Sequence, residues 1–405
     1  MEHAAMYPVQ ALAPTTTAVA TRTASLRLSY VDLVKMVLTI LVIMVHAAIT
    51  YGAAGDWTYV DEGVDDMLSE VLLSLVVIDC QAFFMGLFFF FSGYFTPASY
   101  DRKGVLRFWK DRLVHLAIPM ALYTWVLSRV PNYLREITNR GEPRSFLQYS
   151  LDTFWRNPDK GPTWFLFALL ALTLGYTLVK LVVRWLHLEP LAWVKRVPAP
   201  STAALLVTAL VMASAMFAIG QFMPIDAAYD VFGVFGLILA FLPSYVILFA
   251  AGTLAYRNDW LSKLPAGMLR FWGWFSVSLV FALPTFLIGS GAIDLGLDPY
   301  LGGPNWRCAI TCLWMGFACI AFSVSLTLWM REHVRPGNSL ARVAGPNLFA
   351  IYLIHPLVLV PVCVGLSNTA LHPLIKFVIA SVSTVLLCFV LAEGLRRVPV
   401  IKEML

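Results

Sequence analysis

The chain has 405 residues, 59% of them hydrophobic and 13% charged, with a mean hydropathy of +0.75 and a net charge of +5. Soluble domains carry about a quarter charged residues, so this composition excludes a soluble multi-domain enzyme. Apolar runs of about 20 residues recur throughout and define an all-α, polytopic integral membrane protein with the lipid bilayer as its solvent. No stretch is long and polar enough for a second folded domain, and no nucleic-acid partner is expected.

Residues 1–29 are rich in Thr, Ala and Pro, and lack periodicity or an apolar core before a small-residue cleavage site. They read as a disordered cytoplasmic tail, with the first helix as the membrane signal. One bundle of about ten transmembrane helices follows, over residues 30–395, with a short tail at 396–405. The expected spans are 31–52, 70–96, 113–129, 162–183, 201–222, 232–255, 271–289, 307–330, 348–366 and 372–392. The tail and the segments 97–112, 180–200, 256–270, 331–347 and 393–405 hold 20 of the 29 Lys and Arg residues. Four of the five opposite loops hold none, so both termini are expected on the cytoplasmic side of a bacterial inner membrane. The exception is 129–161, a long mixed-charge loop that reads as a lid or acceptor platform. The first outer loop is acidic, and Trp57, Trp155, Trp164, Trp260, Trp306 and Trp329 fall where an interfacial aromatic belt belongs.

The first span, "YVDLVKMVLTILVIMVHAAITYG", carries Asp32 and Lys35 near its inner end and His46 deep inside. Asp32 and Lys35 at i, i+3 suit a membrane-edge ion pair and a ligand-binding mouth equally. An imidazole in lipid is costly and reads as functional. Lys35 and His46 lie about 16 Å apart along the axis on nearly the same face. In the second span Asp79 sits near mid-depth, where it either orients the His46 imidazole or is a protonated structural carboxyl. Gly93 and Pro97 in "SGYFTP" are expected to end that helix. Arg112 and His115 enter the third span beside Lys35, and several cations at one mouth suit a phosphorylated ligand. The spans over 201–330 read as scaffold. His355 precedes Pro356, which frees a carbonyl four residues upstream; a role in covering that group and a catalytic role stand level. The six cysteines all fall in apolar runs, and no His/Cys cluster suggests a metal.

These pieces, in this order, resemble the acyltransferase 3 family of integral-membrane acyltransferases, closest in look to its glucan-modifying branch. The matching elements are Tyr30-x-Asp32-x-x-Lys35 with His46 eleven residues on, "FFFFSGYF", "FWKDRLVHLAIP", the Trp-Phe-Leu opening at Trp164, and "IYLIHP". The resemblance implies transfer of an acetyl or succinyl group from cytoplasmic acyl-CoA to a hydroxyl on an extracytoplasmic glycan. His46 matches the essential histidine, and Lys35 stands where the family has arginine. Lys35, Arg112 and His115 would then hold the CoA phosphates and His46 would act as general base. Asp79 would steady the imidazolium, Ser92 would serve the oxyanion, and Asp32 and His355 would support the site. An acyl-histidine intermediate is the other chemical route. A glycan or lipid-precursor transporter is the competing function, against which stand the missing inverted repeat and the clustering of charge at helices one to three.

Overall fold

In the computed structural model the described residues are 16–61, 66–139, 144–155, 158–159, 161–187, 197–225, 227–231 and 235–399. The elements are α1 (Thr16–Thr50), α2 (Met67–Arg112), α3 (Ile118–Leu122), α4 (Arg129–Asn139), α5 (Phe146–Thr153), α6 (Trp164–Trp185) and α7 (Thr202–Gly220). A hairpin of β1 (Tyr229–Val231) and β2 (Phe235–Leu237) precedes α8 (Leu242–Asn258), α9 (Trp260–Lys263) and α10 (Met268–Gly289). Then come α11 (Ala292–Leu295), α12 (Asp298–Leu301), α13 (Trp306–His333), α14 (Ser339–Ala344), α15 (Leu348–Ser367) and α16 (Pro373–Leu395). The protein is an all-α, multi-pass membrane protein. The described helix α1 begins at Thr16, upstream of its apolar span Ser29–Thr50.

Nine helical stretches among the described residues are long and apolar enough to cross a membrane. One of them, Met67–Thr138, has 72 residues, or about 108 Å of helix, far beyond a single crossing of about 30 Å. It folds back at Gly104, whose φ of 70° and ψ of 170° are open only to glycine. Pairs on either side meet around that bend: the Tyr100 and Phe108 rings lie 5.4 Å apart, and the Arg112 guanidinium donates to Thr96 Oγ1 at 3.3 Å. The stretch is therefore long enough to cross twice, which makes ten passes among the described residues, in line with the expected count of about ten.

Two expected boundaries are corrected. Gly93 and Pro97 do not end the second helix, which runs on to Gly104. Gly93 is a notch: a Cβ there would lie 2.1 Å from the carbonyl oxygen of Phe249 on α8. The sixth span begins at Leu239 rather than 232, because Tyr229–Val231 pairs antiparallel with Phe235–Leu237.

The connectors bond within their own end of the bundle. At the basic end Arg331 donates to the Leu261 and Leu264 carbonyls, and Arg257 to Asp101. At the opposite, acidic end Gly303 bonds to Gly220, and Lys376 to Asp61. Alternation of passes thus follows from contacts as well as from charge. α1 is central, packed against α2, α13, α15 and α16. The stretch carrying α15 is 67% buried in its apolar window and α10 only 17%, so α1 and α15 are inside and α6, α7 and α10 form an outer wall. α13, within the region expected to be scaffold, is an inner helix against α1 and α2. On its other side small residues let α13 approach α7 closely: a Cβ on Gly316 would lie 2.5 Å from the Ala209 carbonyl.

Candidate active site

The site begins with α1 and α2, which run antiparallel. Lys35 Nζ stands 4.5 Å over the Phe95 ring at the basic end, and past the other end the Ala54 amide bonds to Ser74 Oγ at 2.9 Å. Between these fixed levels His46 lies opposite Phe83 and Phe84. Asp79 is then about 7 Å further towards the acidic end, and Ser92 about 12 Å towards the basic end, at 1.5 Å per residue. Neither meets His46. Asp79 Oδ1 is buried with no partner among the described residues, and neither imidazole bonds to it. Among the described residues no carboxylate bonds to His46 Nδ1, so of the two readings of Asp79 the structural carboxyl fits this spacing. Ser92 offers its carbonyl to Thr96 Oγ1 at 2.7 Å and sits one turn above Lys35, too far from His46 to hold an oxyanion there.

What stands beside His46 is aromatic. The Trp57 indole stacks on it at 3.6 Å between centroids with 14° between planes. The His355 ring lies 5.3 Å away, tilted by 6°, and Trp57 and His355 are 6.0 Å apart at 9°. Three near-parallel rings, from α1, the loop after it and α15, form one cluster at the heart of the bundle.

Pro356 explains the orientation of His355. Lacking an N–H, it leaves the Tyr352 carbonyl free, and His355 Nδ1 lies 2.6 Å from that oxygen. A carbonyl only accepts, so Nδ1 carries the proton and Nε2 holds the lone pair. Nε2 is buried and has no partner among the described residues. The structural and catalytic readings of His355 are therefore compatible: one nitrogen covers the carbonyl and the other is left available. His46 Nδ1 and Trp57 Nε1 are likewise buried and unpartnered, although His46 and Trp57 as whole residues are only partly buried. Three ring nitrogens without partners in one cluster are unusual, since buried polar atoms are nearly always satisfied.

The wall of this cluster is held by α15 and the start of α6. Tyr352 donates its hydroxyl to the Pro162 carbonyl and packs edge-on to Phe165, with ring centroids 5.8 Å apart. Above it the described parts of the 129–161 connector bond to one another: Arg129 to Thr153 Oγ1 at 2.8 Å, and Asn132 to Asp159 at 2.6 Å. Gly161 packs on the buried Tyr123 ring, and its φ of 40° requires glycine.

At the basic end, Lys35 pairs loosely with Asp32 at 3.9 Å, both about a third exposed. Lys35 and Arg112 address consecutive residues of α2, Phe95 and Thr96, so both cations lie at one level of the basic end. His115 does not join them: it is exposed, with Nδ1 2.9 Å from the Asp111 carbonyl of its own helix. A recess of about 460 Å³ opens nearby, lined by Tyr30, Ser262, Arg331 and Arg335 among others. The Arg331 guanidinium there is already committed to two backbone carbonyls.

Sequence reasoning missed Trp57, taken as a belt residue, and the Asp61–Lys376 pair that anchors its loop. Among the described residues no group of three metal-ligating side chains comes together. No match was found among curated proteins or among solved structures. The family model of an acyltransferase domain, acyltransferase 3, matches residues 28–393. From the Tyr30 turn of α1 to the end of α16, the chain belongs to the acyltransferase 3 family of membrane acyltransferases.

Proposed function

We propose that the protein carries an acetyl or succinyl group from acyl-CoA on the cytoplasmic side to a hydroxyl of a glycan on the other face, with His46 as general base. The observation that carries the reading is the pairing of two imidazoles deep in the bundle, with ring nitrogens unpartnered among the described residues, eleven residues above two cations at the basic end. Lys35 and Arg112 bind the phosphates of the donor at the basic, cytoplasmic end, and Asp32 limits how far Lys35 swings. The pantetheine arm, extended, covers the distance of about 16 Å from Lys35 to His46.

The acceptor hydroxyl enters from the acidic end, under the 129–161 connector. His46 takes its proton and the oxygen attacks the thioester carbonyl. The tetrahedral intermediate collapses, the C–S bond breaks, and the departing CoA thiolate takes the proton from the imidazolium. His355, whose Nε2 is buried without a partner among the described residues, receives a hydrogen bond from the acceptor and sets its approach. Asp79 and His115 have no step in this scheme, since neither lies at the reacting groups.

The test is thioester turnover by purified protein with acetyl-CoA, read as free thiol released and as acylated glycan formed. His46→Ala is expected to abolish both while expression and membrane insertion stay normal. Full turnover in that variant removes His46 from the chemistry.

A further inference from the structure

We propose that Trp57 is a positioning residue that holds the His46 ring in its working plane, seated there by a strap of chain anchored through a buried ion pair. The proposal rests on the reading of His46 as the base, and its test is chosen to stand apart from that reading.

The strap is residues 51–61. It leaves α1 at Tyr51 and returns to it within eleven residues: the Ala53 amide bonds to the Ala48 carbonyl at 3.0 Å, and the Asp61 amide to the Thr50 carbonyl at 3.0 Å. The Thr50 hydroxyl lies 3.0 Å from the carbonyls of both Tyr59 and His46, joining the strap to the turn that carries the imidazole. Ala54, Gly55, Asp56 and Val60 are exposed, but Thr58, Tyr59 and Asp61 are buried, Tyr59 to 1%, so the half of the strap after Trp57 is packed into the bundle.

Its far end is fixed electrostatically. Asp61 Oδ2 meets Lys376 Nζ at 2.9 Å, with less than a tenth of either side chain exposed. Lys376 also donates to the Ser367 carbonyl at 3.2 Å. A lysine in the first turn of an apolar helix is costly unless paired. Here it locks the strap to the α15–α16 connection.

Trp57 lies midway along the strap. A belt tryptophan keeps its ring at the headgroups with its N–H wet. This indole instead lies face to face with His46, and its Nε1 is buried without a partner among the described residues. A catalytic histidine is ordinarily aimed by a hydrogen bond at its second nitrogen, yet His46 Nδ1 has none among the described residues. The indole face supplies the missing restraint.

The measurement is carbethoxylation of His46 by diethyl pyrocarbonate, resolved by peptide mass spectrometry, with exposed His115 and His333 as internal references. It needs no turnover. Trp57→Ala is expected to raise the His46 rate about tenfold relative to His115, the worth of one aromatic pair, and Trp57→Phe to restore protection by keeping the stack. Lys376→Met, which leaves Asp61 buried and alone, is expected to raise the rate as Trp57→Ala does, and Asp61→Asn added to it to lower it again. In parallel, kcat for acetyl-CoA turnover is expected to fall about a hundredfold in Trp57→Ala, the cost of a misplaced group, with KM for acetyl-CoA nearly unchanged. An unaltered His46 rate in Trp57→Ala, or equal rates in the Ala and Phe variants, overturns the positioning role. Altered labelling with unaltered turnover keeps the restraint and refutes instead the reading of His46 as base.

Discussion

Replacing Gly252 by alanine tests the packing that aligns the α2 wall of the site. α2 and α8 meet backbone to backbone, through Gly252 against Phe90 and Gly93 against Phe249. A Cβ at Gly252 would lie 2.0 Å from the Phe90 carbonyl oxygen and 2.8 Å from the Tyr94 nitrogen. A carbon approaches a carbonyl oxygen no closer than about 3.3 Å, so the helices must part by about 1.3 Å at this point. Neither contacted atom belongs to a flexible side chain, so the strain cannot relax locally. A gap of about 1 Å already forfeits about half of the dispersion energy across the seam, and this one is wider. Overpacking of this kind costs about 3 kcal/mol, the upper end of the usual range, or more than about a hundredfold in the unfolding equilibrium. All six cysteines are free and buried, so the appearance of reactive thiols on heating in detergent reports unfolding directly. Gly252→Ala should unfold well below the parent. Gly175→Ala, on the exposed face of α6 with nothing within 4 Å of its Cβ, should be neutral or slightly stabilising. Equal midpoints for Gly252→Ala and the parent refute the close-approach argument.

Gly104→Ala meets no atom within 4 Å, yet should destabilise by about 1–3 kcal/mol, because the bend needs a backbone region reserved for glycine; an unchanged thiol-unmasking midpoint refutes it. Lys35→Ala should raise KM for acyl-CoA about tenfold, the worth of one charge-assisted phosphate contact, with kcat nearly intact. The same variant should lose less than about 1 kcal/mol of stability, since its pair with Asp32 is long and solvent-screened; a change confined to KM for the acceptor counts against the phosphate role. Asp66 caps α2 outside the spans, and the Ser69 hydroxyl bonded to it holds its carboxyl below the ordinary carboxylate range. A depressed native value stabilises the fold fully above about pH 4 and loses that contribution as pH falls through the native value. The deficit of Asp66→Ala should therefore be present at neutral pH and shrink in acid, and a deficit constant from pH 7 to pH 3 refutes the cap.

Hydropathy and loop charge made the passes legible, because each needs about 20 apolar residues whatever its neighbours. Local breaker rules failed at Gly93 and Pro97, where tertiary packing uses glycine to let α8 approach. The true bend at Gly104 sits beside Arg102 and Lys103, at an exposed turn. The hairpin at 229–237 was invisible, its strands being three residues each. His46 and His355 each stood out as an imidazole in lipid, but 309 residues separate them, and only the packing of α1 on α15 brings their rings together. Trp57 carried no signal beyond its position near an interface. Lys376 carried one that went unread: a lysine three residues into the last span, with an acidic loop as its natural partner.

The geometry alters the expected chemistry in one respect. In a carboxylate–histidine dyad the anion lowers the energy of the imidazolium, and the proton can rest there. Here the nearest groups to His46 are two neutral rings, and Asp79 lies about 7 Å further along the bundle. On the proposed reading, an imidazolium at His46 is short-lived and must pass its proton to the thiolate as the C–S bond breaks, so proton removal and thiol departure are kinetically linked. That linkage predicts a solvent deuterium effect on thiol release with the acceptor present. A full rate in heavy water would instead favour a prior acyl-histidine step, in which thiolate leaves before any acceptor proton moves.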